Sequence, residues 1–364
     1  MAERVLVAMS GGVDSSVAAA RLVAQGHEVV GATLHLWDYP DDGSVRGRCC
    51  APEDVRDAAR AADALGIPHY AFDRREIFRQ RVVDPFVEAY LTGETPSPCV
   101  RCNRSVKTRE LLGLADRLGA SAVATGHYAR TRPGSAGAEL WRARDRDKDQ
   151  SYFLHMLGPA VLERLRFPLG DATKAEVREE AEKLGLPGAG KGESQELCFV
   201  PIGRYDRFVA ERAGDRLRPG PIVDEGGREV GRHEGVHGFT IGQRKNLGVA
   251  LGRRAYVVGI DAGRGRVELG SPERLAARGA VVASAYLHPS VELPCVCSVA
   301  VRYRAAQVPA AVEARADGRL LVGFQTPVNA VVPGQYAVFY DGDRVLGGGV
   351  IERPVPALEQ GAEA

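Results

Sequence analysis

The chain has no uninterrupted apolar run long enough to cross a membrane and no charged segment leading into a short apolar leader. That predicts a cytoplasmic protein without membrane contact. It has no excess of positive charge either: 48 Lys and Arg stand against 47 Asp and Glu, a net charge of +1. A uniformly basic coat for nucleic acid is excluded, so any RNA surface must be a local patch. Internal repeats are absent. The 43 glycines and 21 prolines in 364 residues stay below a low-complexity composition, with only the tail Pro354 to Ala364 weakly biased. Seven cysteines, at 49, 50, 99, 102, 198, 295 and 297, are odd in number and unevenly spaced, which is no disulfide framework. The pair Cys99 and Cys102 has no second CxxC to complete a zinc site. The lysine of a Walker loop is missing as well, which excludes that phosphate loop.

What stands in its place is Ser10-Gly11-Gly12-Val13-Asp14-Ser15-Ser16, between the apolar run Arg4 to Met9 and an alanine-rich helical run from Val17 to Ala24. A strand entering a helix through such a turn collects unpaired backbone N–H groups at a positive helix end, where phosphate binds. Gly11 and Gly12 permit close backbone approach. Ser10, Ser15 and Ser16 add hydroxyls, and Asp14 is placed to orient a magnesium ion or a lysine. The string resembles the PP-loop of ATP pyrophosphatases, which cleave ATP between its α and β phosphates.

The length calls for two or three domains. As far as about residue 165, β-type runs alternate with helical ones: Glu28 to Leu36 and Pro68 to Phe72 as strands, Glu53 to Leu65 as a helix closed by Gly66. Ser105 to Leu118 reads as a helix stopped by Gly119, and Ser121 to Thr125 as a strand. The alternation predicts an α/β fold, a parallel sheet with helices on both faces and its ligand at the carboxyl ends of the strands. The glycine turn, Leu34 and Thr125-Gly126-His127 then surround one crevice, with adenine against the backbone near Leu34 and Gly126 beside it. After residue 200 short β-type runs take over, including Tyr256 to Ile260, Arg266 to Leu269, Val296 to Tyr303 and Tyr336 to Tyr340, with Asp317-Gly318 and Asp341-Gly342 as turns. They read as small β-barrels. Boundaries near 200–220 and 272–290 then give expected domains 1–200, with the glycine turn, a small β-rich 201–275, and a C-terminal barrel 276–356.

Thr95-Pro96-Ser97-Pro98-Cys99-Val100-Arg101-Cys102 reads as a proline-pinned loop ahead of a helix, with Arg101 and Arg104 placed to lower thiol pKa values. Arg101, Arg104, Lys107 and Arg109 are candidates to hold phosphates, with a solvated helix face the alternative for the last two. Cys198, in Ser194 to Val200, is either a buried packing cysteine or a chemical one. Cys49 and Cys50 read as packing. Cys295 and Cys297 flank Val296 on a strand and therefore share one face, the core. Arg302 and Arg304 are expected to alternate along a strand and to present one face to RNA.

SGGVDSS, TPSPCVRCN, ATGHY, KDQSYFL, SQELCFV, GQRKNLGV, RYR and PGQYAVFYDG…LGGG occur together and in order. This set resembles the tRNA-specific 2-thiouridylases of the MnmA (TrmU) type, from residue 4 to about 352. The resemblance implies thiolation of the wobble uridine in the tRNAs for Lys, Glu and Gln, with ATP and Mg2+ as cofactors. It implies two partners, tRNA and an upstream persulfide donor, either a cysteine desulfurase or a sulfur-relay protein. By matching position, Ala8, Met9, Ser10, Gly11, Gly12, Val13, Asp14 and Ser15 take the ATP phosphates, and Leu34 and Gly126 contact the nucleotide. Cys102 takes the place of the nucleophile and Cys198 that of the persulfide carrier, with a transient disulfide between them. Ser97, Pro98 and Cys99 take base-contact positions; His127, Lys148, Asp149, Gln150, Arg302, Tyr303 and Gln335 take tRNA-contact positions. Many members have Asn-Pro-Asp-x-x-Cys where this chain has Ser97-Pro98-Cys99-Val100-Arg101-Cys102. The extra thiol leaves a second scheme open, a [4Fe–4S] cluster on Cys99, Cys102 and Cys198 whose fourth iron holds sulfide. A PP-loop amide synthetase and a non-catalytic tRNA-binding sulfur carrier are the remaining alternatives.

Overall fold

The computed structural model describes residues 2–38, 52–187, 197–200, 205–249 and 252–357. Cys49, Cys50 and the Ser194 to Glu196 part of the third cysteine motif lie outside the described residues. The chain forms two compact units. The first contains residues up to Val83, Pro98–Pro201 and Asp343–Val345; the second contains Asp84–Ser97, Ile202–Gly342 and the chain from Leu346 on.

The first unit is built on β1 (Arg4–Ala8), β2 (Glu28–His35), β3 (His69–Asp73), β4 (Ala122–Thr125) and β7 (Leu165–Arg166), in the order β3-β2-β1-β4-β7. Between β4 and β7 the chain makes the antiparallel hairpin β5 (Ala129–Gly134) and β6 (Gly137–Arg142). The pairings β1–β2, β1–β4, β2–β3 and β4–β7 are all parallel. β1 is the central strand, and Val5, Leu6 and Val7 are fully buried, as a strand covered on both faces requires. The strand order reverses at β1, with β2 on one side and β4 on the other. In such sheets the crevice outside the strand ends opens at that reversal.

Two helix starts differ from the sequence reading. The first helix spans Val13–Ala24, so it begins four residues before Val17 and takes Asp14, Ser15 and Ser16 into its first turn. The CxxC is likewise not in a loop: Pro98–Cys102 is helical and runs through a π-helical turn, Asn103–Lys107, into the helix Thr108–Arg117. Pro98 is compatible with this because the first turn needs no intrahelical N–H bond from it.

The second unit contains a four-stranded sheet, in the order β10-β11-β8-β9, from β8 (Gly220–Val223), β9 (Glu229–His233), β10 (Tyr256–Asp261) and β11 (Arg266–Gly270). Six further strands follow: β12 (Ala276–Leu287), β13 (Cys295–Ala300), β14 (Val308–Ala314), β15 (Leu320–Asn329), β16 (Tyr336–Asp341) and β17 (Arg344–Pro356). Their order β12-β15-β14-β13-β16-β17 closes through β12–β17 pairing into a barrel, leaving none of the six at an open edge. Gly318 (φ +79°) and Gly342 (φ +55°) make the expected turns. Cys297 is buried in the barrel core with Cys295 packed beside it, while Val296 between them is 76% exposed. Burial pushes the Cys297 thiol up to about 12. The second unit also includes the helix Asp84–Leu91, whose Phe86 and Tyr90 meet Phe208 and Tyr205 at ring distances of 6.3 and 4.8 Å.

Arg302 and Arg304 are not on a strand. β13 ends at Ala300, and the chain turns through residues 301–304 with Ala305 N–H donating to Arg302 O at 3.1 Å and Arg304 at φ +61°. The alternation expected of a strand therefore stops before either arginine. Both are exposed, with the Arg304 guanidinium 5.3 Å from the Tyr303 ring centre.

Candidate functional site

The glycine turn leaves β1 at the sheet's reversal. Met9 N–H donates to Ala32 O at 2.8 Å, and the Thr33 hydroxyl donates to Met9 O at 2.8 Å, which ties the end of β1 to β2. Thr33 has committed its one proton, so the 2.8 Å contact with His69 Nε2 requires the imidazole to donate there. Gly11 sits at φ +73°, and a Cβ on it would lie 2.2 Å from Asp54 O. Only glycine fits, because the start of the helix Pro52–Ala64 is laid directly against the turn.

Ser15 and Ser16 are buried. Their hydroxyls donate to Gly12 O at 2.9 and 3.2 Å, and Ser15 Oγ also accepts from Ser10 N–H at 3.1 Å. These serines brace the turn from inside. Gly12 is the N-cap of the helix, extended at φ −90° and ψ 158°, with no side chain capping the first turn. The N–H groups of that turn thus present a positive end to an anion.

The most informative side chain here was not found from the sequence. Lys174 Nζ lies 2.7 Å from both carboxylate oxygens of Asp14, and the Tyr128 hydroxyl donates to Asp14 Oδ1 at 2.8 Å. The lysine side chain is 9% exposed and the aspartate 34%. Lys174 opens a helix, Lys174–Lys183, fixed by a capping box between Thr173 and Glu176. Of the two partners expected for Asp14, the structure supplies the lysine. The signal available in the sequence was Thr173 followed by Glu176 at capping-box spacing, which locates a helix start but not what it faces.

Gly126 follows β4 and closes the other side. A Cβ there would be 2.8 Å from Ser15 N and 2.9 Å from Asp14 C, so its close approach is to the first turn of the helix Val13–Ala24. His127 Nδ1 is 2.8 Å from Thr125 Oγ1, and its ring meets Phe167 edge-on at 6.4 Å. Burial, reinforced by the Lys107 charge, pushes His127 down to about 3, so the imidazole is neutral at physiological pH. Leu34, near the end of β2, is buried.

Cys99, Cys102 and Cys198 occupy the same unit. Cys102 is buried on the helical turn Pro98–Cys102, and Cys99, one turn earlier, is half-buried. Cys198 is half-buried, and the adjoining Phe199 packs edge-on against Trp37 at 6.1 Å and Phe78 at 5.6 Å. The turn after Phe78, Arg79–Val83, packs against the helical segment bearing Cys99 and Cys102. One aromatic element thereby links the surroundings of both cysteine motifs, although they are separated in sequence. Among the described residues no three His, Cys, Asp or Glu side chains gather as a metal site. Cys99, Cys102 and Cys198 are accordingly not gathered as such a group.

Family models match in chain order: one described as tRNA methyl transferase HUP domain over residues 3–202, one as tRNA methyl transferase PRC-barrel domain over 206–271, and one as aminomethyltransferase beta-barrel domain over 280–351. The tRNA-specific 2-thiouridylase MnmA of Sorangium cellulosum is 65% identical over 354 residues, 96% of this chain and 92% of that protein. The chain belongs to the tRNA-specific 2-thiouridylase family. Members from Chloroflexus aurantiacus and a Methylobacterium are 51% and 48% identical, covering 96% and 99% of this chain and 98% and 97% of their own lengths.

Asp149 is buried: Oδ1 accepts from Ala143 N–H at 3.0 Å and Ser151 N–H at 3.2 Å, while Oδ2 accepts from Arg142 Nε and the Ser151 hydroxyl, each at 3.0 Å. Gln150 exchanges two bonds with the Tyr128 backbone, at 2.8 and 3.0 Å. Asp149 thus ties the segment to the end of β6 and Gln150 ties it to Tyr128, just ahead of β5, with Lys148 half-buried beside them. In the second unit, Gln335 Nε2 donates to Thr95 O at 2.7 Å, and Thr95 N–H donates to Pro333 O at 2.9 Å. Gln335 therefore anchors the loop that runs through Ser97 to Pro98 and the CxxC. Arg101, Arg104 and Arg109 are exposed, whereas Lys107 is half-buried.

Proposed function

We propose that this protein catalyses ATP-dependent 2-thiolation of the wobble uridine of tRNA, in the tRNAs for Lys, Glu and Gln. The observation carrying this reading is near-full-length identity, up to 65%, to tRNA-specific 2-thiouridylases, in a chain that places SGGVDSS at the sheet's reversal. The uridine 2-carbonyl cannot lose its oxygen unaided, because oxide is too poor a leaving group. Attack of that oxygen on the α-phosphorus of ATP expels pyrophosphate and converts the oxygen into part of AMP, which can leave. The uncapped N–H groups at Val13 and Asp14 receive the phosphates, and Lys174 neutralises Asp14 so that no bare carboxylate opposes them. Mg2+ enters with ATP and offsets phosphate charge.

Cys198 carries sulfur as a persulfide from an upstream donor. The Cys102 thiolate attacks the Cys198 sulfur, forming a Cys102–Cys198 disulfide and releasing hydrosulfide. Hydrosulfide adds at C2 and AMP leaves, giving the 2-thio base. An external thiol then reduces the disulfide. The target base must leave the anticodon stack to reach this chemistry, with Ser97, Pro98 and Cys99 at the base. His127 and Lys148 of the first unit, and Arg302, Tyr303 and Gln335 of the second, are assigned to tRNA contact, and the enzyme works in the cytoplasm; among the described residues no helix is long and apolar enough to cross a membrane.

The test is anaerobic incubation with unmodified tRNA, Mg-ATP and a persulfide source, followed by nucleoside mass spectrometry. ATP-dependent 2-thiouridine is the expected product. ATP cleavage without a thiolated nucleoside would refute the reading and favour amide synthesis, and binding of tRNA without ATP turnover would favour a sulfur carrier.

A further inference from the structure

Of the ordered motifs in this sequence, Gly242-Gln243-Arg244-Lys245-Asn246-Leu247-Gly248 has no part in the chemistry above. From Gly235 to Ile260 the chain carries Arg244, Lys245, Arg253 and Arg254 and no acidic residue, in a protein whose charges otherwise nearly cancel. A nearly neutral chain that holds RNA needs a local basic patch of this kind. Arg244, Lys245 and Arg254 are exposed and make no ion pair among the described residues, while Arg253 has the Glu225 carboxylate 4.0 Å away.

The loop is built to hold its cations in place. Gly242 N–H donates to Val257 O at 2.8 Å and Val257 N–H to Gln243 O at 2.9 Å, which fastens the loop to β10. The Gln243 side chain bridges it: Oε1 accepts from Thr240 N–H and Nε2 donates to Lys245 O, each at 3.0 Å. Asn246, at φ +59°, makes the turn that follows, and Leu247 is buried in one core with Val257 and Val267. Arg244, Lys245 and Asn246 are left as an exposed tip on a rigid support, which lowers the ordering cost of any contact they make. The position of the tip selects the anion. The Thr95 hydroxyl donates to Thr240 Oγ1 at 3.2 Å, within the second unit. Ser97 lies two residues beyond Thr95 and Arg244 four beyond Thr240. Even fully extended, those stretches keep Ser97 and Arg244 within about 30 Å of each other. Roughly nine stacked nucleotides of one strand cover that span.

We propose that the Gly242–Gly248 loop is a backbone clamp for tRNA, with Arg244 and Lys245 each on a phosphate of the anticodon arm. This rests on the thiolation reading, which puts the target base at Ser97. The Arg244 guanidinium can engage two phosphate oxygens at once, and Lys245 acts as a point charge beside it. Such contacts fix the register of the RNA without reading its sequence.

Lysine footprinting of the full-length protein tests this. Unmodified tRNA at about ten times its Kd should slow acetylation of Lys245 about tenfold, as the fraction of free protein falls, whereas Mg-ATP alone should not. The double variant Arg244→Gln with Lys245→Gln should bind tRNA roughly ten- to a hundredfold more weakly in about 0.1 M salt. Its slope of log K against log salt should be smaller by about 1.4–1.8, the value for two phosphates, with Mg-ATP affinity and Tm as in the wild type. Unchanged acetylation together with an unchanged salt slope would overturn the clamp. Protection of Lys245 by a cysteine desulfurase but not by tRNA would overturn the RNA assignment and make the loop a docking surface for a sulfur-donating protein. Absence of 2-thiouridine from the wild-type reaction, with Lys245 protected by tRNA and the slope reduced in the variant, would refute the thiolation reading and still support the loop as an RNA contact.

Discussion

Replacing Lys174 by Met removes the cation that holds Asp14, and the structure sets the size of the effect. Deleting one partner of a buried ion pair costs roughly 3–5 kcal/mol. Asp14 is 34% exposed and keeps the Tyr128 hydroxyl, so solvent and that remaining bond reduce the expected loss of stability to about 2 kcal/mol. The effect on ATP should be separate and as large. A carboxylate about 6 Å from a phosphate charge, at an effective dielectric of about 20, is repelled by roughly 3 kcal/mol. Affinity for Mg-ATP should then fall by one to two orders of magnitude. Urea denaturation reads the first quantity and titration calorimetry with Mg-ATP the second. The double variant Asp14→Asn with Lys174→Met removes both charges, so it should regain at least about 1 kcal/mol over the sum of the single losses. Wild-type ATP affinity in Lys174→Met, with no coupling in the cycle, would refute charge neutralisation as the function of this pair.

Cys198→Ala and Cys102→Ala should each abolish 2-thiouridine formation while leaving Mg-ATP and tRNA binding within about twofold; substantial product from either, by nucleoside mass spectrometry, would remove the persulfide route. Gly11→Ala forces a φ of +73° and places Cβ against Asp54 O, so it should cost more than about 2 kcal/mol in urea denaturation and weaken ATP binding. His127, near 3 in the folded protein against about 6.5 unfolded, favours folding above pH 6.5 and loses that contribution as pH falls toward 3. His127→Gln should therefore flatten the decline of stability over that acid window, and an identical pH profile would show that the imidazole is not held neutral. Asp149→Ala strips a buried acceptor from four donors and should lower stability by roughly 3–5 kcal/mol, seen as a reduced Tm, whereas a surface tRNA contact would leave Tm unchanged.

Local chemistry made much of this protein legible from its sequence. Arg4 to Met9 is an apolar run long enough only for a strand, and two glycines before a helix former leave the N–H groups of the first turn to an anion whatever the rest of the fold does. The turns at Asp317-Gly318 and Asp341-Gly342 were equally readable, because positive φ is a property of the residue itself. The cysteine alternation around Val296 followed from the two-residue period of a strand. Other features depend on which distant segments come into contact. Lys174 reaches Asp14 only because the helix it opens packs on Val13–Ala24, and Gln335 reaches Thr95 only because the barrel returns to the loop before the CxxC. Asp149 meets its four donors only because folding aims Arg142, Ala143 and Ser151 at it. The strand expected through Arg302 and Arg304 failed for a local reason that only the folded backbone reveals, a turn with Arg304 at positive φ. Sequence fixes what each side chain can donate, accept or fit; tertiary contacts decide which partner it meets, because those partners are brought within hydrogen-bond distance only by burying the core that joins them.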